Sequence, residues 1–336
     1  MAFHARNILV IVFGQMGDVA LSLPALRAIR ERFPDSKITA MVGQPGAALV
    51  DLAGCADDKI TVDRVALRDG NKLVSIGRIG QLVKDVRRRH FDFVIDLHSL
   101  SETNLLGYLS GAPSRLYARR PGRSLDFLSN FRPAPPAPPR DSMDPARHQV
   151  DRYLDALKPL GIENAPREPR LYPPPEAVAA VEKMLARHAG APFVGLFPGA
   201  GHASRMWPLA NFAELAGRII GNGLRAVVIA GPEERALLAE IRARFPPETV
   251  IFDSLTIPQL AALLQRFSVF VGNDTGPMHI AAAVGAPGIF LFNRDRPHAF
   301  TPLGEQHRIV YRANITQISV GEVFTAVLER LARPRF

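Results

Sequence analysis

The chain is short of thiols, of long apolar runs and of the common nucleotide-loop strings, and each shortage removes a class of protein. Cys55 is the only cysteine among 336 residues. That excludes an internal disulfide and any zinc or iron site built on several thiolates, and it fits a reducing, cytoplasmic compartment. No run of 18 uncharged apolar residues occurs, and the N-terminus MAFHARNILVIVFG has one apolar stretch of about seven residues with no small-residue cleavage site. Neither a transmembrane helix nor a signal peptide is expected. The strings G-x-G-x-x-G and G-x-x-x-x-G-K-[ST] are both absent, so a dinucleotide fingerprint and a P-loop lack their sequences. Helix-turn-helix, RNA-recognition and zinc-finger signatures are missing as well. Asp plus Glu number 32 against 41 Lys plus Arg, a net charge of +9. Such a surplus attracts nucleic acid, anionic lipid headgroups or phosphorylated sugars without choosing among them.

What is present is an α/β rhythm, repeated. The length suits two domains of about 150 residues each. NILVIVF (7–13), KITAMV (37–42), KITV (59–62) and FDFVIDL (91–97) read as strands, with helices from Leu23 to Arg32 and around 75–89. This alternation predicts a parallel sheet covered by helices on both faces. Proline is dense over 131–145, which reads as a surface loop, and a helix resumes at ARHQVDRYLDALKPL. A second proline-rich stretch, 165–177, reads as the linker between an N-terminal domain (1–165) and a C-terminal one (176–318). In the second half PFVGLFP, RAVVIAG, TVIF, SVFVG and GIFLF are strands, with helices from Pro208, Pro232, Thr256 and Gly276. A last helix lies within 319–336 and is expected to pack back across the domains. Two doubly wound, Rossmann-like domains facing a central cleft is the expected architecture, with ligands at the carboxyl ends of the strands.

Three turns carry the chemistry. VGNDTGPMHIAAA (271–283) runs a strand through a polar turn into an apolar helix. Thr275 can cap that helix, Gly276 permits close approach and Pro277 needs no partner for its nitrogen. The helix dipole then favours an anion, while Asp274 suits a sugar hydroxyl or the backbone better than a phosphate. An ordinary capped helix is the competing reading. FPGAGHASRMWP (197–208) offers Gly199, Ala200 and Gly201 as a close-approach backbone and Arg205 as a cation for adjacent phosphates. Trp207 reads as a packing residue rather than a stacking one, and His202 and His279 are open between phosphate donors and structural groups. FGQMGDVALSLPAL (13–26) puts Asp18 where a strand meets a helix. There it is either a general base or a helix cap.

Together these turns resemble glycosyltransferase family nine, the lipopolysaccharide heptosyltransferases and their relatives. The matching segments are ILVIVFGQMGDVALSLPALRAIRERFP, PGAGHASRMWP and DTGPMH, with shorter echoes in VIDLHSLSETNLLGYLSGAPSRLY and RHQVDRYLDAL. The resemblance spans roughly residues 7 to 312. It implies the GT-B fold, acceptor on the first domain and nucleotide sugar on the second. It implies inverting, metal-independent transfer of a heptose from an ADP-linked donor to a lipopolysaccharide inner-core acceptor, with no cofactor beyond that donor. Asp18 then matches the general base, with Gly14, Gln15 and Gly17 on the acceptor loop. Arg205, Asp274, Thr275, Gly276 and His279 match the diphosphate and sugar turn, beside Gly199, Ala200 and Gly201. Topology adds Glu233 or Glu234 for the ribose and Leu255 for the base. Gly14 and Gln15 stand where small hydroxyl residues are usual, and Arg205 where lysine is usual. The autotransporter-modifying branch needs several cysteines, and Cys55 stands alone. An anionic glycolipid acceptor would account for the charge and for peripheral contact with the inner face of the inner membrane. The alternatives are a transferase using another nucleotide sugar or a soluble acceptor, a nucleotide-sugar epimerase, and a binding protein without catalysis; the last has no need of Asp18.

Overall fold

A computed structural model describes residues 3–63, 72–120, 122–135, 147–293 and 297–333, and the chain divides into two compact units, Met1–Pro169 and Arg170–Phe336. The division falls inside the proline-rich stretch expected as the linker.

The first unit holds five parallel strands: β1 (Asn7–Val12), β2 (Lys37–Gly43), β3 (Asp58–Val62), β4 (Phe93–Asp96) and β5 (Ser114–Tyr117). Their order is β3-β2-β1-β4-β5. Central strands buried on both faces have no polar side to show, which is why NILVIV and FVID are continuous apolar runs rather than alternating ones. Helices α1 (Met16–Arg32), α2 (Ala47–Ala53), α3 (Lys72–Arg88), α4 (Ser101–Leu109) and α5 (Gln149–Asp155) cover the sheet. α1 packs on β1 and β2 and against α2 and α5. α3 and α4 share the opposite layer, where Val86 and Leu106 meet Leu9, Ile11 and Val94.

The second unit holds six parallel strands: β6 (Phe193–Phe197), β7 (Arg225–Ile229), β8 (Val250–Phe252), β9 (Val269–Asn273), β10 (Gly288–Phe292) and β11 (His307–Tyr311). Their order is β11-β10-β9-β6-β7-β8. The helices are α6 (Pro175–Leu185), α7 (Leu209–Gly221), α8 (Leu238–Arg244), α9 (Ile257–Arg266), α10 (Gly276–Ala283) and α11 (Val320–Leu331). Phe212, Leu215 and Ile219 of α7 and Val323 and Val327 of α11 close over Val194, Val228 and Val271 of the sheet.

Several elements differ from expectation. β5 and β11 were not legible, because SRLY and HRIVY are half-exposed edge strands whose charges break the apolar run. The helix expected from Pro232 begins as a 3₁₀ turn, Pro232–Leu237, before α8. α11, expected to pack back across the domains, contributes its buried face to the core of the second unit. Of the proline-rich segment 131–145, residues 136–145 lie outside the described residues. Its first residue, Phe131, is anchored edge-on to Phe3 at 5.0 Å and beside Phe93 at 5.3 Å.

Candidate active site

In the second unit the strand order reverses between β9 and β6, and ligands of open parallel sheets bind at the carboxyl ends of such a pair. The turn after β6 carries Gly199, Ala200, Gly201 and Arg205; the turn after β9 carries Asp274, Thr275 and Gly276, with His279 one turn into α10. One side chain ties the two turns together. Asn273 is fully buried, its Nδ2 donates to the Pro198 and Gly199 carbonyls at 3.0 and 3.1 Å, and its Oδ1 accepts from the Trp207 amide at 3.1 Å. Sequence reasoning gave Asn273 no role. The available signal was a polar side chain ending an apolar strand, a position where buried polar groups must find partners.

Arg205 ends the 3₁₀ turn Ala203–Arg205, and its Nη1 lies 3.7 Å from Oδ2 of the buried Asp274. The pair answers the objection that Asp274 repels an anion: the guanidinium offsets the carboxylate and has more N–H donors than one carboxylate uses. Thr275 does stand at the N-cap of α10, with Pro277 in the first turn, but its hydroxyl makes no capping bond, against expectation. Its backbone is fully extended, with φ −156° and ψ 172°. The first-turn amides and dipole of α10 are then the local attraction for negative charge. Trp207 packs: it is buried edge-on against Phe212 at 4.9 Å, and its Nε1 donates to the Ile318 carbonyl at 2.8 Å. His202 accepts from the Ser204 amide at 3.2 Å, a structural cap, while His279 is buried on α10.

Gly199 has a steric reason to be glycine, since a Cβ there would stand 2.0 Å from Glu234 Oε1. Glu234 is buried, its Oε2 accepts from the Gly231 amide at 2.8 Å, and burial raises its carboxyl pKa. The ribose candidate Glu233 is exposed; Glu234, not Glu233, reaches the Gly199 turn. A 3₁₀ turn rotates successive side chains by about 120°, so adjacent carboxylates cannot share one direction. Leu255 is half-buried in the loop after β8, just before the Thr256 cap of α9.

In the first unit the order reverses between β1 and β4. The turn after β1 contains Gly14 and Gln15, and Gly17 and Asp18 follow in the first turn of α1. Asp18 Oδ2 accepts from the Gln15 amide at 2.9 Å, and a Cβ on Gly14 would fall 2.0 Å from Asp18 Cβ. The capping role is therefore real. It aims the carboxylate while using one of two oxygens, so a proton-accepting role is compatible with it. Tyr153, Arg120 and His98 were not predicted. Tyr153 of α5 is buried, and its phenol pKa is raised first by burial and then by the charge of Asp18. Arg120 acts on Tyr153 as well, and its Nη1 donates to the His98 carbonyl, beyond β4, at 3.2 Å. His98 and Tyr153 fall in the segments 94–117 and 147–157, where the sequence carries only the shorter echoes of the family, and Arg120 follows just after the first.

The family model for glycosyltransferase family 9 (heptosyltransferase) matches residues 79–323. The chain belongs to this family. Lipopolysaccharide heptosyltransferase 3 of Escherichia coli is 25% identical over 285 residues, covering 82% of this chain and 80% of that one. The glycosyl transferase family 9 structure from Veillonella parvula superposes with a TM-score of 0.83 at 20% identity, covering 98% of both chains. The E. coli ADP-heptose lps heptosyltransferase II superposes at 0.79 with 21% identity, covering 97% and 98%. The fold is thus α/β of the GT-B type. The family match includes the turns after β6 and β9 and begins after Asp18.

This family 9 glycosyltransferase also buries a carboxylate beside the β4 turn. Asp96 accepts from the Ser99 amide and from Asn104 Nδ2, each at 2.7 Å, and Asn104 Oδ1 accepts from the Leu125 amide at 2.8 Å. Ser99, with φ 49°, is held in a left-handed conformation by these bonds. Burial pushes the Asp96 pKa up to about 6 against the opposing hydrogen bonds. Among the described residues no helix is long and apolar enough to cross a membrane, and no group of three His, Cys, Asp or Glu is placed to hold a metal ion.

Proposed function

We propose that this glycosyltransferase moves a heptose from an ADP-activated donor to a lipopolysaccharide inner-core acceptor, with inversion and without a metal ion. The observation that carries the reading is the Arg205–Asp274 pair beside the N-terminus of α10 at the strand reversal of the second unit. Two E. coli relatives are named lipopolysaccharide heptosyltransferase 3 and ADP-heptose lps heptosyltransferase II, and those names supply the substrate class. In this reading Arg205 and the α10 amides hold the diphosphate, and Asp274 holds the sugar. The loops after β6, β7 and β8 succeed one another along the sheet edge. At about 4.8 Å per strand, Leu255 lies on the order of 10 Å from the Gly199 turn, room for a nucleoside with Glu234 midway. Asp18 takes the proton of the acceptor hydroxyl. That oxygen attacks the anomeric carbon from the face opposite the diphosphate, and the carbon–oxygen bond to phosphate breaks with its electron pair leaving on ADP. Negative charge grows on the departing diphosphate, where a fixed guanidinium and a helix N-terminus stabilise it.

Thermal shift in EDTA with ADP, UDP and GDP tests the donor side. A nucleotide at a hundredfold excess over its Kd stabilises the native state by about 2.7 kcal/mol, about 5–10 °C for a domain of this size. We expect that shift with ADP and its loss in Arg205→Ala, while Asp274→Ala, which removes a contact to the sugar and not to ADP, should keep it. For the acceptor side, Asp18→Asn keeps an oxygen for the Gln15 amide and loses basicity. It should retain the ADP shift and lower kcat by about 10²–10⁴-fold. A UDP or GDP preference overturns the ADP assignment, and an Asp18→Asn enzyme with full kcat removes the base.

A further inference from the structure

The first unit exposes apolar side chains where a water-facing helix layer needs none. Among the described residues eight large hydrophobics are exposed, and five belong to three neighbouring elements: Ile76 (66%) and Ile79 (47%) on α3, Leu105 (45%) and Tyr108 (49%) on α4, and Phe127 (77%) on the 3₁₀ turn Asp126–Leu128. α3 touches α4, and α4 touches that turn. Val86, Leu106 and Leu128 point inward to one core, so the five exposed side chains lie on the outer side of the same layer. Single exposed apolar residues are ordinary; a contiguous set on one layer marks an interaction surface.

The surrounding charge selects the partner. The exposed side chains Arg78, Lys84, Arg87 and Arg88 lie along α3, whose one carboxylate, Asp85, accepts from Gln81. Lys84, Arg87 and Arg88 line an open groove of 440 Å³ with Val83 and His90. Arg115 sits over the Tyr108 ring at 5.3 Å, so the aromatic edge of the patch is itself flanked by a cation. We propose that the outer face of α3, α4 and the Asp126–Leu128 turn seats the first unit on an anionic lipid bilayer. Isoleucine and phenylalanine enter the headgroup boundary, tyrosine stays at its level, and the cations meet lipid phosphates. A second copy of this chain would bring like charges together across the same face, which disfavours self-association there. Helices of a parallel βαβ unit run opposite to the strands, so the Ile76–Ile79 end of α3 lies at the carboxyl end of the sheet, the end that carries Gly14–Asp18 and His98. A lipid-borne acceptor would then present its sugars at the end of the unit where Asp18 stands.

The test is co-sedimentation of the full chain, without nucleotide, with vesicles of phosphatidylcholine alone and of phosphatidylcholine mixed equally with phosphatidylglycerol. We expect binding to the mixed vesicles only. It should weaken at least tenfold in Ile76→Ser/Ile79→Ser/Phe127→Ser and be lost in Lys84→Glu/Arg87→Glu, while both variants keep the nucleotide thermal shift of the parent. Equal binding to both vesicles, or variants that bind like the parent, overturns the proposal. So does a dimer in sedimentation velocity that the same substitutions dissolve, because that face then joins copies of the chain. Vesicle binding is read without nucleotide, so it stands or falls separately from the ADP assignment.

Discussion

Asn273 does more for the turns after β6 and β9 than its size suggests. Removing it strands the Trp207 amide and frees two carbonyls in a site without water access. An unsatisfied buried group costs about 1–3 kcal/mol, so Asn273→Ala should lower the unfolding free energy of the second unit by that order, read from denaturant titration. It should also weaken nucleotide binding, since the turns after β6 and β9 lose their common tie. An Asn273→Ala protein with parental stability and affinity would contradict this. Trp207 was legible as a packing residue, and Asp18 as a helix cap or a general base from its place after Gly17. Asn273 was not, because its partners lie about 65 to 75 positions away in sequence.

At the level of elements, the Pro-Gly-Ala turn and the 3₁₀ turn after β7 are fitted to one another. Gly199→Ala drives a methyl into Glu234 Oε1 and displaces the carboxylate, whose Oε2 accepts from the Gly231 amide. Overpacking of this kind costs about 1–3 kcal/mol. The second-site change Glu234→Ala vacates that space. We expect Gly199→Ala to lose nucleotide binding and the double variant to recover part of it, by calorimetric titration; a single variant that binds like the parent rules out the steric reading. Central strands and long helices were legible because burial on both faces writes itself as apolar runs. The short edge strands β5 and β11 were hidden by their charges, and the Glu233/Glu234 choice depended on a local 3₁₀ rotation that the string does not carry.

On the scale of the whole molecule, each unit contains a buried group whose titration opposes the other's. Asp96 in the first unit is raised from 3.8 to about 6 by burial. The folded state therefore holds that proton more tightly, and the stabilisation is full below pH 3.8 and lost as pH rises through 6. His307 in the second unit is lowered from 6.5 to about 4, by burial first and then by Arg330. Its contribution is full above pH 6.5 and lost as pH falls through 4. Each shift corresponds to about 3 kcal/mol across its window. Calorimetry between pH 4 and 6.5 should show Asp96→Asn making one transition less favoured by acid, and His307→Leu making the other less sensitive to it. The pH slope is the readout, because Asp96→Asn also loses an acceptor for Asn104 Nδ2. One shared transition tilted by both variants would mean that the units unfold together.

By itself the sequence determined the class of the protein: periodicity gives two α/β halves, and three ordered turns give family 9. Those properties are local, written in residues that are neighbours along the chain. Only the tertiary structure decided that Arg205 pairs with Asp274, that Glu234 rather than Glu233 meets Gly199, and that Asp18 and Arg120 both act on Tyr153. It also gathered the exposed isoleucines, tyrosine and phenylalanine onto one layer. Such juxtapositions depend on strand order and helix rotation, and a parallel sheet joins at its carboxyl edge residues that the chain keeps tens of positions apart.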